Sequence, residues 1–182
     1  ETRIWIVPDL AIREGDDMVI FDWKTGRPSE SDMEQVATYA LYGNEEVRRR
    51  ERVDARFINI AMKATCLGAV TSDALEDGRV VSGVGGQYNF VAQAHELEGA
   101  RSIILLKAVR ESKGKVESNI VWNYGHVTVP RHLRDIIITE YGVADLRGQP
   151  DEECVKRMLA ITDSRFQEEL VREAIAAKKL AA

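Results

Sequence analysis

The sequence predicts an α/β protein built on an open sheet with flanking helices, and three observations carry that expectation. Strongly apolar, β-rich runs recur along the chain, among them "RSIILLKAV", "SNIVWNY" and "DIIITEYG". Helical patterns alternate with them, and strands interleaved with helices are the mark of such sheets. A glycine-rich turn, "SGVGG", stands between one β-rich run and a helical one. Bulk figures fit this class. With 182 residues, 45% hydrophobic and 30% charged, the chain suffices for one ordinary domain with a core, or a domain plus a smaller segment. A net charge of −5 and a sequence pI of about 5.4 supply no global basic footprint for nucleic acid. No apolar run approaches the roughly 18 residues a spanning helix needs, and no signal-peptide pattern opens the chain. Cys66 and Cys154 are far apart and in no metal or redox spacing, so a reduced, cytoplasmic protein with inert thiols is expected. The chain begins at Glu1 without a Met and reads as a processed or excised piece.

The first element is a β-hairpin. "TRIWIVPDLAIREGDDMVIFDWKTG" holds two β-rich runs around a short polar break. A two-residue turn at Gly15 and Asp16 would place Asp9 opposite Asp22, with Cβ atoms roughly 5 Å apart. Lys24 lies two residues beyond Asp22 and shares its face. Close carboxylates repel unless a cation sits between them, and their hard oxygens suit Mg²⁺ or Mn²⁺. The other face, with Leu10, Ile12, Val19, Phe21 and Trp23, is apolar and needs a packing partner. After "GRPSES" a helix is expected over residues 32–42, with Gln35 and Tyr39 on one face.

"PDLAI", "FDWKTG" and "QVATY" in this order resemble part of the PD-(D/E)xK nuclease superfamily, in its RecB/Cas4-like branch. The resemblance implies metal ligation by Asp9 and Asp22, assistance to an attacking water by Lys24, and site or DNA contacts from Gln35 and Tyr39. That family core also needs an upstream helix and further downstream strands, which the neighbouring residues do not resemble. The expectation is a partial core over residues 1–43 without a competent nuclease site. "NEEVRRRERVDARF" then interleaves Arg48, Arg49, Arg50 and Arg52 with Glu45, Glu46 and Glu51, which reads as a charged linker or solvated helix end over residues 44–55.

From residue 56 onward strands and helices alternate. "RVVSGVGGQYNFVAQAHEL" reads as a strand, a glycine-rich turn and a helix. The apolar runs that follow read as buried strands. Two helices close the chain, one over residues 152–160 and one after Asp163 as N-cap, with Phe166, Leu170 and Ala174 on one face and Lys178 and Lys179 at the end. Gly83, Gly85 and Gly86 let the backbone turn tightly and approach a ligand, and the helix start behind them favours an anion or polarised carbonyl oxygen. The spacing is not a dinucleotide fingerprint. His95, His126 and His132 show no convergent metal spacing. Arg131 and Arg134 suit either the phosphates of a ligand or ordinary ion pairs.

"RFINIAMKAT", "GRVVSGVGGQYNFVAQAHEL", "SNIVWNYGHVTVPRHLRDIIITEYGVADLRG" and "ITDSRFQEEL" together resemble the C-terminal domain of the acetyl-CoA hydrolase/transferase family, the family I CoA-transferases. The resemblance implies a NagB/RpiA-like open sheet over residues 56–182. It also implies a CoA thioester as substrate, with an acyl-CoA and a small carboxylate as the partners of the reaction. Gly83, Val84, Gly85, Gly86, Gln87 and Phe90 belong to the motif at the thioester, and Glu140 to the neighbouring "TEYGVADLRG" motif. The family's nucleophilic glutamate, which forms a glutamyl-CoA thioester, lies upstream of the glycine loop, where this chain carries the nuclease-like segment. Glu140 is not that nucleophile, and hydrogen bonding is its expected role. The expectation is thus a mosaic chain whose large domain binds acyl-CoA. It would be incomplete for catalysis alone and would work as a homo-oligomer or beside a chain that supplies the missing half. The alternatives are a metal-dependent nuclease and a non-catalytic interaction module.

Overall fold

A computed structural model describes residues 10–14, 17–21, 54–112 and 114–181. The chain divides into two compact units, Glu1–Asn59 with Ser82–Ser102, and Ile60–Val81 with Ile103–Ala182.

In the first unit, β1 (Leu10–Glu14) and β2 (Asp17–Phe21) form an antiparallel hairpin, with Leu10 facing Phe21 and Glu14 facing Asp17. This is the register that a turn at residues 15 and 16 dictates. Strand β3 (Asp54–Ile60) runs parallel to β2, pairing Asp17 with Asp54 and Ile20 with Phe57. The hairpin and the first strand of the "RFINIAMKAT" segment are therefore hydrogen-bonded neighbours. Helix α1 (Gln87–Glu96) buries Gln87, Val91 and Ala94, a spacing that keeps one stripe inward. Its core partners are Ala55, Phe57 and Ala100, with Phe90 and Leu97 packed alongside. The Phe57 and Phe90 rings stack at 5.9 Å between centroids. Beyond the helix, Gly99 takes a left-handed φ of 73°, and its carbonyl accepts from Arg56 Nη1 at 2.9 Å.

The second unit holds three β arrangements. Strand β4 (Lys63–Thr65) pairs antiparallel with β5 (Val70–Thr71) and parallel with β9 (Ile120–Val121). Residues Ile103 to Leu105 of β6 (Arg101–Leu105) run parallel to β10 (Ile136–Thr139), which turns back into β11 (Gly142–Asp145). Strands β7 (Val109–Ser112) and β8 (Lys115–Ser118) make a separate hairpin. Helix α2 (Asp151–Ala160) starts behind Pro150, whose fixed φ suits a helix entry, and carries Asp151, Glu152 and Glu153 at its positive end. Helix α3 (Ser164–Ala176) is capped by Asp163, whose side chain accepts from the Arg165 amide at 3.0 Å. Leu170 and Ala174 are its buried residues. Ile120, Ile137, Leu146, Val155, Met158 and Ile161 fill the interior of this unit, none more than 2% exposed.

Two strand expectations need correction. "RVVSG" is not a strand: Val80 makes only an isolated bridge to Ala74 and is 67% exposed. β-Branched residues favour a strand only where a neighbour supplies a ladder and a packing face, and Val80 and Val81 have neither. "RSIILLKAV" is not buried on both faces; Ser102 and Ile104 are buried while Arg101, Ile103 and Leu105 are half-exposed. The terminal lysines also depart from a simple helix-dipole role. Lys178 adopts a left-handed φ of 56°, and Lys179 Nζ donates to Asp151 Oδ2 at 2.7 Å.

Both cysteines are free and buried. Burial, with the charge of Glu173 second, pushes the Cys66 thiol up to about 12, and burial likewise raises Cys154. A thiolate is the reactive form, so neither side chain presents one at neutral pH. Folded protein at pH 8 is expected to take up no thiol reagent over minutes, and to take up two equivalents once denatured. Rapid labelling of the native chain would contradict this.

Candidate functional site

The glycine turn is built from the bottom up by one conformational demand. Gly85 sits at φ +59°, the left-handed region, and a Cβ built there would meet nothing within 4 Å. Its requirement for glycine is therefore backbone conformation and not space. Gly86 follows at φ −87° and ψ 1° as the N-cap of α1, and its carbonyl accepts from the Phe90 amide at 3.0 Å. A glycine N-cap lays no side-chain oxygen over the first-turn amides, and no acidic residue lies in that turn. The positive end of the helix thus stays available to an anionic or polarised oxygen. Residues 82–85 are exposed, and Val84 and Tyr88 add exposed apolar surface at 44% and 41%.

Other predicted site residues fall into distinct places. Gly83, Val84, Gly85 and Gly86 share the exposed turn, whereas Gln87 is buried and Phe90 packs against Phe57. Phe90 anchors α1 beneath the turn through that ring contact. Glu140 lies in the second unit, just after β10, and its Oε2 accepts from the Ala108 amide at 2.8 Å. The Ala108 carbonyl accepts from the Asn119 amide at 2.8 Å, and Asn119 Nδ2 donates to the Lys107 carbonyl at 2.9 Å. Glu140 and Asn119 together clamp the bend between β6 and β7. Sequence spacing carries no trace of this link, since the contacts span 32 and 12 residues.

Arg131 and Arg134 are engaged by ion pairs. Both reach Asp151, at 3.1 Å each, and Lys179 joins them there. His95 Nδ1 bonds the Val91 carbonyl within α1, and His126 lies 3.2 Å from Asp73 Oδ2. Among the described residues no group of three or more His, Cys, Asp or Glu side chains could hold a metal ion. Asp9, Asp22, Lys24, Gln35 and Tyr39 lie outside the described residues. No described helix is long and apolar enough to cross a membrane.

Open mixed sheets with flanking helices, and an exposed glycine turn at a helix start, define the fold class as α/β. The sequence model of the acetyl-CoA hydrolase/transferase C-terminal domain matches residues 29–174, and the chain belongs to that family. It is 35% identical over 120 residues to a probable butyrate:acetyl-CoA coenzyme A-transferase of Syntrophomonas wolfei, covering 64% of this chain and 27% of that protein. With the 4-hydroxybutyrate coenzyme A transferase of Clostridium kluyveri it shares 30% identity over 141 residues, 76% of this chain and 32% of that one. The chain therefore spans about a third or less of these curated relatives. Among solved structures, RipA from Yersinia pestis matches with a TM-score of 0.62 and 31% identity, over 69% of this chain and 28% of RipA. A 4-hydroxybutyrate CoA-transferase from Porphyromonas gingivalis matches at TM-score 0.52 and 25% identity, over 68% and 27%.

These findings give no support to a nuclease segment or to a mosaic chain. The family match begins at residue 29 and takes in Gln35, Tyr39 and the charged run at residues 44–55.

Proposed function

We propose that this chain is the portion of a CoA-transferase that holds an acyl-CoA at residues 83–86, where turn and helix-start amides meet the thioester or carboxylate oxygen. The observation that carries the reading is Gly85 at φ +59°, leading through a glycine N-cap into a helix with no acid in its first turn. Such amides favour an oxygen on which negative charge develops, which is the electronic need of acyl transfer from a thioester. CoA-transferases of this family use CoA thioesters, and the relatives' names point to short acyl groups and small carboxylates as partners. Val84 and Tyr88 supply apolar surface for such a chain. Glu140 contributes by holding the bend at Ala108 and not by attacking the thioester.

Calorimetric titration with acetyl-CoA tests the reading. Gly85→Val is expected to weaken binding at least tenfold, about 1.4 kcal/mol, because a β-branched residue resists the left-handed region. Gly85→Asn, which tolerates that region, is expected to retain most of the affinity. No binding at millimolar acetyl-CoA, or equal affinity for wild type and Gly85→Val, would sink it.

A further inference from the structure

The described lysines all belong to the second unit and are held in two ordinary ways, with one exception. Lys115, Lys156 and Lys179 stand within 3.0 Å of carboxylates, on Glu117, Glu152 and Asp151. Lys107 and Lys178 are exposed, so water solvates their ammonium groups. Lys63 fits neither case. It is half-buried on β4, and among the described residues no carboxylate lies within ion-pair distance of it. Its Nζ donates to the Ser118 carbonyl at 2.9 Å and lies 5.9 Å from the centre of the Tyr124 ring. That hydrogen bond engages one of the three N–H donors an ammonium carries.

These surroundings disfavour the charged form. Burial, and then the like charge of Arg110, lower the proton affinity of the Lys63 amine, against weaker opposite pulls from Glu117 and Glu76. Only an unprotonated amine has the lone pair that makes it a nucleophile, and desolvated lysines are activated in this way. Lys63 also lines a groove of about 960 Å³ that includes Trp122, Tyr124 and Phe166. A short acyl chain attached there has room and aromatic surface to lie against. The modified side chain keeps its anchor too, because a secondary amide retains one N–H for the Ser118 carbonyl.

We propose that Lys63 is a site of acylation at Nζ by a small activated acyl donor, a CoA thioester or an acyl phosphate. The Nζ lone pair attacks the acyl carbon and an amide C–N bond forms. The C–S or C–O bond to the leaving group breaks, and its electron pair departs with the thiolate or phosphate. The displaced amine proton passes to that group or to water, and nothing is oxidised or reduced. The product loses one positive charge, leaving Arg79, Arg110 and Lys115 as the cations of the groove. The donor comes from solution, so the inference does not rest on acyl-CoA binding at residues 83–86.

The test incubates the full chain with acetyl phosphate and, separately, with acetyl-CoA, and follows each lysine over time by peptide mass spectrometry. Lys63 is expected to label ahead of every other described lysine, and about tenfold faster than Lys115 and Lys156, whose carboxylate partners favour the ammonium. Its rate is expected to level off at lower pH than that of Lys156, whose proton affinity Glu152 raises. Unfolding in urea is expected to abolish the preference, since all lysines then share one solvent. Labelling by acetyl phosphate alone assigns acyl phosphates as the donor, by acetyl-CoA alone thioesters, and by both the shared acyl chemistry. Labelling of Lys63 by neither donor would overturn the proposal. So would a rate no higher than that of Lys115 or Lys156, or a preference that survives unfolding. Acetyl-CoA that fails to bind in calorimetry while acetyl phosphate still labels Lys63 sinks the acyl-CoA reading and leaves this one standing.

Discussion

Gly68→Ala is expected to lower the melting temperature by about 5–15 °C, the conversion for a chain of this size being roughly 2–4 °C per kcal/mol. Two penalties combine. Gly68 sits at φ +85°, where any side chain is strained, at a cost of about 1–2 kcal/mol. A Cβ there would also lie 2.8 Å from Arg134 Cβ and 3.0 Å from Leu146 Cδ1, and such overpacking costs about 1–3 kcal/mol. Arg134 cannot easily yield, because its guanidinium donates to the carbonyls of Leu67 and Gln149 and to Asp151. Gly78→Ala is the control. It shares the left-handed geometry, at φ +82°, but a Cβ there meets nothing within 4 Å. Thermal unfolding of both variants separates strain from collision, and equal losses would remove the steric half of the explanation.

Asp151→Ala should cost about 2–4 kcal/mol, because it removes the carboxylate shared by three cations and leaves Arg134 largely enclosed. Wild type carries the pH signature of the same cluster. The hydrogen bond from Lys179, then that from Arg134, hold the Asp151 carboxyl down to about 2 from an ordinary 3.8. A depressed carboxylate stabilises the fold at pH above its ordinary value, and that contribution disappears as pH falls towards 2. With the side chain only 23% exposed, its pH-dependent share is on the order of 1–2 kcal/mol. Urea unfolding of wild type and Asp151→Ala should therefore give stability curves that converge between pH 5 and pH 2. A gap that stays constant over that range would rule out the ionised cluster as its source.

The parts of the fold legible in the sequence were those written in local periodicity. Asp163 announced the start of α3 by its side chain, and Leu170 and Ala174 followed at helical spacing. The run at Ile136 read as a strand from its β-branched residues alone. Tertiary contacts were not legible. Nothing within a few residues of Asp151 points to Lys179, 28 residues on, or ties Glu140 to Ala108. The valines at residues 80 and 81 carried the propensity of a strand without a ladder to join. At the candidate site the glycines were visible as a motif. The different demands on them, conformation at Gly85 and an uncapped helix start at Gly86, emerge only from the dihedral angles. The D-x-K pattern was the reverse case, a local arrangement that is chemically suggestive by itself and unsupported by the family match that runs through its neighbours.

The interleaving of the two units has a practical side. The chain passes from one to the other after Asn59, after Val81 and after Ser102. No single cut therefore releases either unit as a continuous piece. A chain trimmed to start at residue 60 would keep α1 and the glycine turn but lose β3, and with it Phe57, the ring on which Phe90 rests. Fragment studies of the glycine turn must carry residues 54–102 at the least. Isolating either unit calls for joining its two segments directly, residues 1–59 to 82–102 or residues 60–81 to 103–182, in place of simple truncation.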